Sequence, residues 1–362
     1  MSKLIVEVCR IAEVINHPNA DKLDILTVKG WNCIVGRNQY HVGELVIYCP
    51  PDSIIPPDLV EKYKLEFLKK NGKVGSIKLR GELSQGLILD IPTPMGDSWK
   101  EGLDVALMMG ITKYEPPEPE YSLKTGQVAK KNKHNPNFSK YTDIENINNF
   151  DKIFEEGEEV VISEKIHGCN FRAAHLPIVP TNLWDWVRYL FGQRYEFIYG
   201  SRGVQKKWTN IHKGFYKEDV WGKIVNRYNM KEWMPKDYTI YGEIYGDGIQ
   251  DLTYGLKGDI NLFIFDVKYK DKYLNFNEFI KFNRECLELH GINHVPILFL
   301  GNYADGLRIE MSKGNSIIYH SQIREGCVIK PLIERENRCL GRVILKSINP
   351  DYLTRKSGTE FK

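Results

Sequence analysis

Val160-Val161-Ile162-Ser163-Glu164-Lys165-Ile166-His167-Gly168 decides how this chain is read. The apolar run Val160-Val161-Ile162 predicts a buried strand, and a lysine follows directly after it. Burial disfavours an ammonium, so a lysine at such a strand end can offer a neutral amine for attack on phosphorus. Gly168 lets the backbone turn tightly around a nucleotide. The Lys-x-x-Gly pattern also occurs at Lys69-Lys70-Asn71-Gly72, read as a surface turn, so the pattern decides nothing by itself.

Its weight comes from the ordered series of segments downstream of Gly168. Gly200-Ser201-Arg202-Gly203 sets an arginine between small residues, either as a bidentate phosphate clamp or as a plain hairpin turn. Tyr241-Gly242-Glu243-Ile244-Tyr245-Gly246 puts a carboxylate between glycines at a strand end, suited to a ribose or a metal. In Phe263-Ile264-Phe265-Asp266-Val267 an aromatic on a strand can stack an adenine, or simply fill a core. Glu325-Gly326-Cys327-Val328-Ile329-Lys330 and Arg342-Val343-Ile344-Leu345-Lys346 both end an apolar run on a lysine, which suggests a nearby anion. Glu325 then suits a metal, and Lys330 and Lys346 a phosphate. Strands are predicted over 160–163, 238–244, 262–269, 326–330 and 342–346. Helices are predicted over 278–290 and, as an insert with Trp184, Trp186 and Tyr189, over 181–191.

Working towards the N-terminus, residues 4–14, 23–30, 44–48, 77–79 and 86–91 read as short strands between turns such as Asn16-His17-Pro18-Asn19 and Pro50-Pro51-Asp52. That spacing predicts a small OB-type barrel. Residues 114–137 hold Pro116, Pro117 and Pro119, then Lys130, Lys131 and Lys133, and read as a linker. The predicted fold class is α+β: an OB-type β-barrel over 1–112, a linker over 113–137, and a larger unit of mixed strands and helices over 138–362. A net charge of +3 excludes a histone-like binder but leaves room for a focused basic face. The seven cysteines form no CxxC pair, which excludes a zinc ribbon or a disulfide framework and fits a reducing compartment, cytosolic or nuclear. No run approaches the roughly 20 apolar residues of a membrane span.

The ordered set EKIHG, SRG, GEIYG, FDV, EGCVIK and ILK resembles the collinear motifs of the covalent nucleotidyl transferases, the DNA ligases, RNA ligases and capping enzymes. Glu164-Lys165-Ile166-His167-Gly168-Cys169-Asn170-Phe171 is similar to the RNA-ligase branch, as is Phe138-Ser139-Lys140-Tyr141-Thr142-Asp143-Ile144-Glu145-Asn146. His17-Pro18-Asn19-Ala20-Asp21-Lys22-Leu23 resembles OB modules of tRNA-binding type. Only 16 residues follow Lys346, too few for a separate C-terminal domain, so the architecture looks like the type-5 RNA ligases.

The resemblance implies that 138–362 form an adenylyltransferase domain of DNA-ligase type, ATP-grasp-like, with antiparallel sheets. It also implies ATP as AMP donor, Mg²⁺ or Mn²⁺, and an RNA partner, as a nicked duplex or other RNA-containing ends, joined by a monomer off any membrane. Lys165 carries AMP. Glu164, Gly168, Arg202, Glu243, Phe265, Lys330 and Lys346 hold the nucleotide, with Phe265 on the adenine. Glu243 and Glu325 serve metal, while His167 and Asn170 serve the later steps. Lys78 and Arg80 are candidates for nucleic-acid contact in the barrel, which is expected to be dispensable for adenylation. The chain departs from DNA ligases by His167, where they commonly have Asp, and from phage RNA ligases by Cys169, where they have Thr. It also lacks the second lysine of the usual Lys-x-Lys, reading Lys346-Ser347-Ile348. A GTP-dependent capping enzyme, a DNA ligase and a non-catalytic RNA-binding protein are the alternatives.

Overall fold

The computed structural model describes residues 4–68, 71–92, 99–114, 135–150, 152–180, 183–192, 194–207, 219–304 and 306–355. The linker lysines Lys130, Lys131 and Lys133 lie outside these, as do Lys69 and Lys70.

The N-terminal part is built from short antiparallel strands. Glu7–Arg10 pairs with Leu45–Cys49, which pairs with Leu87–Leu89; Glu13–Asn16, Leu23–Val28 and Trp31–Gly36 form a second sheet. The predicted run 4–14 breaks in two at Ile11-Ala12. Ile11 is buried there and still bonds Glu44 of the first sheet, while the next N–H, of Ala12, goes to Thr27 O of the second at 2.9 Å. Alternating Val, Ile and Leu side chains fill two apolar clusters, around Val8, Ile47 and Leu89 and around Leu26, Val28 and Trp31.

The remainder forms two larger sheets. One has five strands in the order Glu145–Asn146, Leu345–Ile348, Gly326–Pro331, Glu159–Glu164, Ile297–Asn302; only the first pair is parallel. The other is centred on Cys169–Pro177, Tyr238–Gly246 and Ile260–Tyr269, each antiparallel to the next. The expected strand 342–346 begins only at Leu345. Arg342 belongs to a short pairing with Glu336–Asn337 and is held by the acids Asp266 and Glu334. The expected helix 278–290 starts earlier, at Phe276–Phe282, and continues through a wider π-type turn at Asn283–Leu287. The insert forms the helix Leu183–Leu190, with Leu183, Trp186 and Leu190 exposed.

The two parts touch at several points. Ile5 packs against the cluster of Ile147 and Phe150. Trp31 Nε1 donates to Asn149 Oδ1 at 3.1 Å, and Lys113 Nζ lies 2.7 Å from Glu145 Oε1. A cleft of about 390 Å³ opens between the two large sheets and is walled on one side by the N-terminal part.

Candidate active site

Lys165 follows the last residue of the strand Glu159–Glu164, and its N–H donates to Gly326 O at 3.0 Å. That bond ties it to the neighbouring strand, beside Glu325. Lys165 Nζ lies 2.5 Å from Glu325 Oε1. The strand-end lysine, expected in apolar surroundings, therefore has a carboxylate on its amine, and any attack on phosphorus must first open this pair. Burial alone would push Glu325 up; the charge and hydrogen bond of Lys165, with His167 close by, outweigh it and hold the carboxyl below its usual range.

Glu243 arrives from the opposite sheet. A Cβ on residue 168 would lie 2.1 Å from Ile244 O and 2.9 Å from Glu243 Cγ. Gly168 is thus required where the chain enters the strand Cys169–Pro177 close against its neighbour Tyr238–Gly246 in the same sheet, and its φ is not positive. Burial pushes the Glu243 carboxyl up to about 8, with Lys165 opposing and Glu325 adding to the rise. Lys346 faces the same cleft. Burial first, and then repulsion from Lys165, lower its pKa, against the pull of Glu145, Glu325 and Asp52. Two ammonium groups crowded in this way make a site for an anion.

Phe265 lines the cleft because of a register shift. Tyr241 pairs with Asp266, but Gly242 pairs with Ile264, so Phe265 is the extra residue of a β-bulge. Such a bulge re-aims one side chain without breaking the sheet. The ring meets Tyr141 edge-on at 4.8 Å, which leaves it as the half-buried aromatic wall of the cleft.

A strand-borne lysine between two carboxylates and a second lysine, with an aromatic wall, is the arrangement that the motif order foretold. The family model for RNA ligase matches residues 158–348. The chain belongs to the RNA ligase family. An OB-fold domain model matches residues 5–91 of this family member. No curated protein sequence matches the chain. Among solved structures, a mutant of the Naegleria gruberi RNA ligase with AMP and Mn is 23% identical, with a TM-score of 0.66 over 96% of this chain and 98% of that one. The Naegleria gruberi RNA ligase with PPi is 23% identical, with a TM-score of 0.65 over 97% and 98%. A further mutant with ATP and Mn is 22% identical, with a TM-score of 0.65 over 96% and 98%. At this identity the likeness establishes the fold.

Several residues of the ligase sit differently from expectation. Glu164 lines the cleft but is buried; its Oε2 accepts from Ile317 N at 2.9 Å, and its Oε1 has no hydrogen-bond partner among the described residues. Lys330 also reaches the cleft wall, and its Nζ lies 3.3 Å from Asp266 and 3.6 Å from Glu334. With Arg342 these form a network of two bases and two acids. Arg202 lines the cleft but is paired with Asp143. Lys78 is docked on Thr354 O, and Arg80 sits at the tip of the Ser76–Leu79 hairpin with φ 47°, its carbonyl accepting from Asn19. That hairpin therefore meets the ligase domain. Asn170 lines the cleft with a buried Oδ1 that has no hydrogen-bond partner among the described residues, as suits a residue awaiting a substrate.

Other residues were not foreseen. Asp52 and Lys113 line the cleft from the N-terminal part, and no local pattern announces them. Asp251, Tyr352 and Arg355 surround His167. The helix Pro350–Thr354 did carry a signal, Asn349 as N-cap followed by proline.

Glu243 gives a test of the site's electrostatics. The folded chain keeps its proton up to about pH 8, whereas the unfolded carboxyl releases it near 4.5. The stability from the held proton is complete below 4.5 and is lost as pH rises through about 8. Glu243→Gln is therefore expected to be more stable than the native chain above pH 8, by on the order of 2 kcal/mol, and near-neutral at acid pH. Melting curves at both pH values check this; coincident curves at alkaline pH would sink it.

Proposed function

We propose that this RNA ligase is ATP-dependent and carries AMP on Lys165, with residues 1–112 as an OB module and 138–362 as the adenylation domain. The observation that carries this reading is the meeting of Lys165, Glu243 and Lys346 in one cleft walled by Phe265, with Glu325 paired to Lys165 behind it.

The Lys165 amine, once released from Glu325, attacks the α-phosphorus of ATP. A P–N bond forms, the bond to the β-phosphate oxygen breaks, and pyrophosphate leaves. AMP then passes to a 5′-phosphate end of RNA. A 3′-hydroxyl displaces AMP and seals the strand, with a nick in a duplex as the preferred form. Phe265 stacks the adenine and Lys346 meets the α-phosphate. Among the described residues no group of three or more His, Cys, Asp or Glu gathers as a metal cage. Glu243 and Glu325 alone fit a divalent ion that keeps water and phosphate oxygens as its other ligands. Magnesium or manganese there would offset the two carboxylates, favour the free amine and spread charge on the α-phosphate.

Incubation with α-labelled ATP and Mg²⁺ or Mn²⁺ should leave label on the denatured chain. Label from GTP alone would replace this reading with capping chemistry, and no label from either would leave an RNA-binding protein.

The cleft reverses one expectation about the barrel. Its residues Pro50, Pro51 and Asp52 are part of the wall, and Ile5 packs on the adenylation domain. Removing residues 1–112 is expected to slow adenylation itself by at least about tenfold, because misplaced walls cost orientation. Asp52→Ala in the full chain is the control against misfolding. Unchanged label uptake in both would restore the barrel to a purely RNA-holding part.

A further inference from the structure

His167 is at the centre of a network that nothing in the chemistry above uses. Its Nε2 lies 2.7 Å from Asp251 Oδ1 and its Nδ1 3.0 Å from the Tyr352 hydroxyl. A carboxylate on one ring nitrogen and a hydroxyl, which can donate or accept, on the other hold the imidazole in place at both ends. The same Nδ1 lies 3.7 Å from Glu325 Oε2, on the carboxylate whose other oxygen meets Lys165. Asp251 is itself braced. Arg355 Nη2 lies 2.7 Å from its Oδ2, Arg355 Nη1 donates to Tyr352 O at 2.6 Å, and the guanidinium stacks on the Tyr352 ring at 3.6 Å.

Tyr352 and the Arg355 brace both come from the terminal helix Pro350–Thr354 and the residue after it. Asn349, its N-cap, donates its N–H to Glu325 O at 3.0 Å, so this element also holds the Glu325 backbone. Tyr352 is 2% exposed, yet its hydroxyl points at a histidine rather than at backbone or solvent. On its far side the helix receives Lys78 of the N-terminal hairpin at Thr354 O.

We infer that Tyr352, Asp251 and Arg355 are positioning residues for adenylation: they fix the His167 ring, which steadies Glu325 against Lys165. The terminal helix is thereby part of the active site's scaffold, and the N-terminal hairpin buttresses it. The inference rests on the lysyl-AMP reading above.

The test is a double-mutant cycle on the full chain, read as the rate of label uptake from α-labelled ATP. Tyr352→Phe keeps the buried ring and removes only the hydroxyl. It should slow uptake at saturating ATP by about tenfold, with the apparent KM for ATP within about twofold of native. In a His167→Ala background the same change should add less than about twofold, because its target is already gone. Arg355→Lys should recover most of what Arg355→Ala loses. The ring-nitrogen NMR signals of His167 provide a readout independent of activity and should move in both Tyr352→Phe and Asp251→Asn. An equal loss from Tyr352→Phe with and without His167, or histidine signals that stay in place, would overturn the positioning role. A native chain that takes no label while those signals do move would overturn the lysyl-AMP reading instead.

Discussion

Lys165→Ala is expected to take no label from α-labelled ATP, a fall of at least about 10³ in the rate of adenylation. Lys346 stands two strands away from the Lys165 strand in the same sheet, and Lys330 is held by Asp266 and Glu334. Alanine also strips Glu325 of its cation, and a lone carboxylate in that position destabilises the fold. Lys165→Arg separates the two effects. A guanidinium keeps a positive charge beside Glu325 but is a poor nucleophile at any working pH. The arginine variant should therefore melt close to the native chain and still take no label. Label on either variant would show that the covalent residue is another one.

Glu325→Gln should slow adenylation by about 10² or more, the scale of losing one preorganised electrostatic group. The amide preserves shape and can still hydrogen-bond Lys165, but it removes the charge that balances Lys165 and Lys346. Both lysines would then repel each other more strongly, and a divalent ion would have Glu243 alone. Single-turnover rates over a metal titration check this. The prediction includes a higher metal requirement, and a variant within about threefold of native at every metal concentration would remove Glu325 from the chemistry.

What the sequence revealed was whatever chemistry is local. Glu164 to Gly168, Glu325 and Lys346 sit at or beside strand ends, where apolar runs stop and a charged side chain is left over; Glu243, read as a strand end, stands inside Tyr238–Gly246. The order of such ends was enough to foretell that they meet. Phe265 was legible as an aromatic on a strand, but the bulge that turns it into the cleft depends on the pairing of Tyr241 and Gly242 with a distant partner strand. Long-range partners stayed hidden. Arg202 and Lys330 read as phosphate clamps because Asp143, Asp266 and Glu334 cannot be seen as their counter-ions from spacing alone. Lys78 read as a nucleic-acid contact because its acceptor is a backbone carbonyl at residue 354. Asp251, Tyr352 and Arg355 were silent for the same reason: a carboxylate, a phenol and a guanidinium carry no meaning until folding gathers them round His167.

The five-stranded sheet puts Gly326–Pro331 and Leu345–Ile348 between Glu145–Asn146 and Glu159–Glu164. During synthesis the lysine's strand therefore leaves the ribosome long before its inner neighbours exist. The reactive amine cannot acquire its pocket until the chain has emerged past Ile348, so on the proposed chemistry a nascent chain that stops short of Leu345 would draw no AMP from the cellular ATP pool. Closing so distant a pairing is also slow. Maturation, rather than nucleotide supply, would then time the first charging of each newly made molecule.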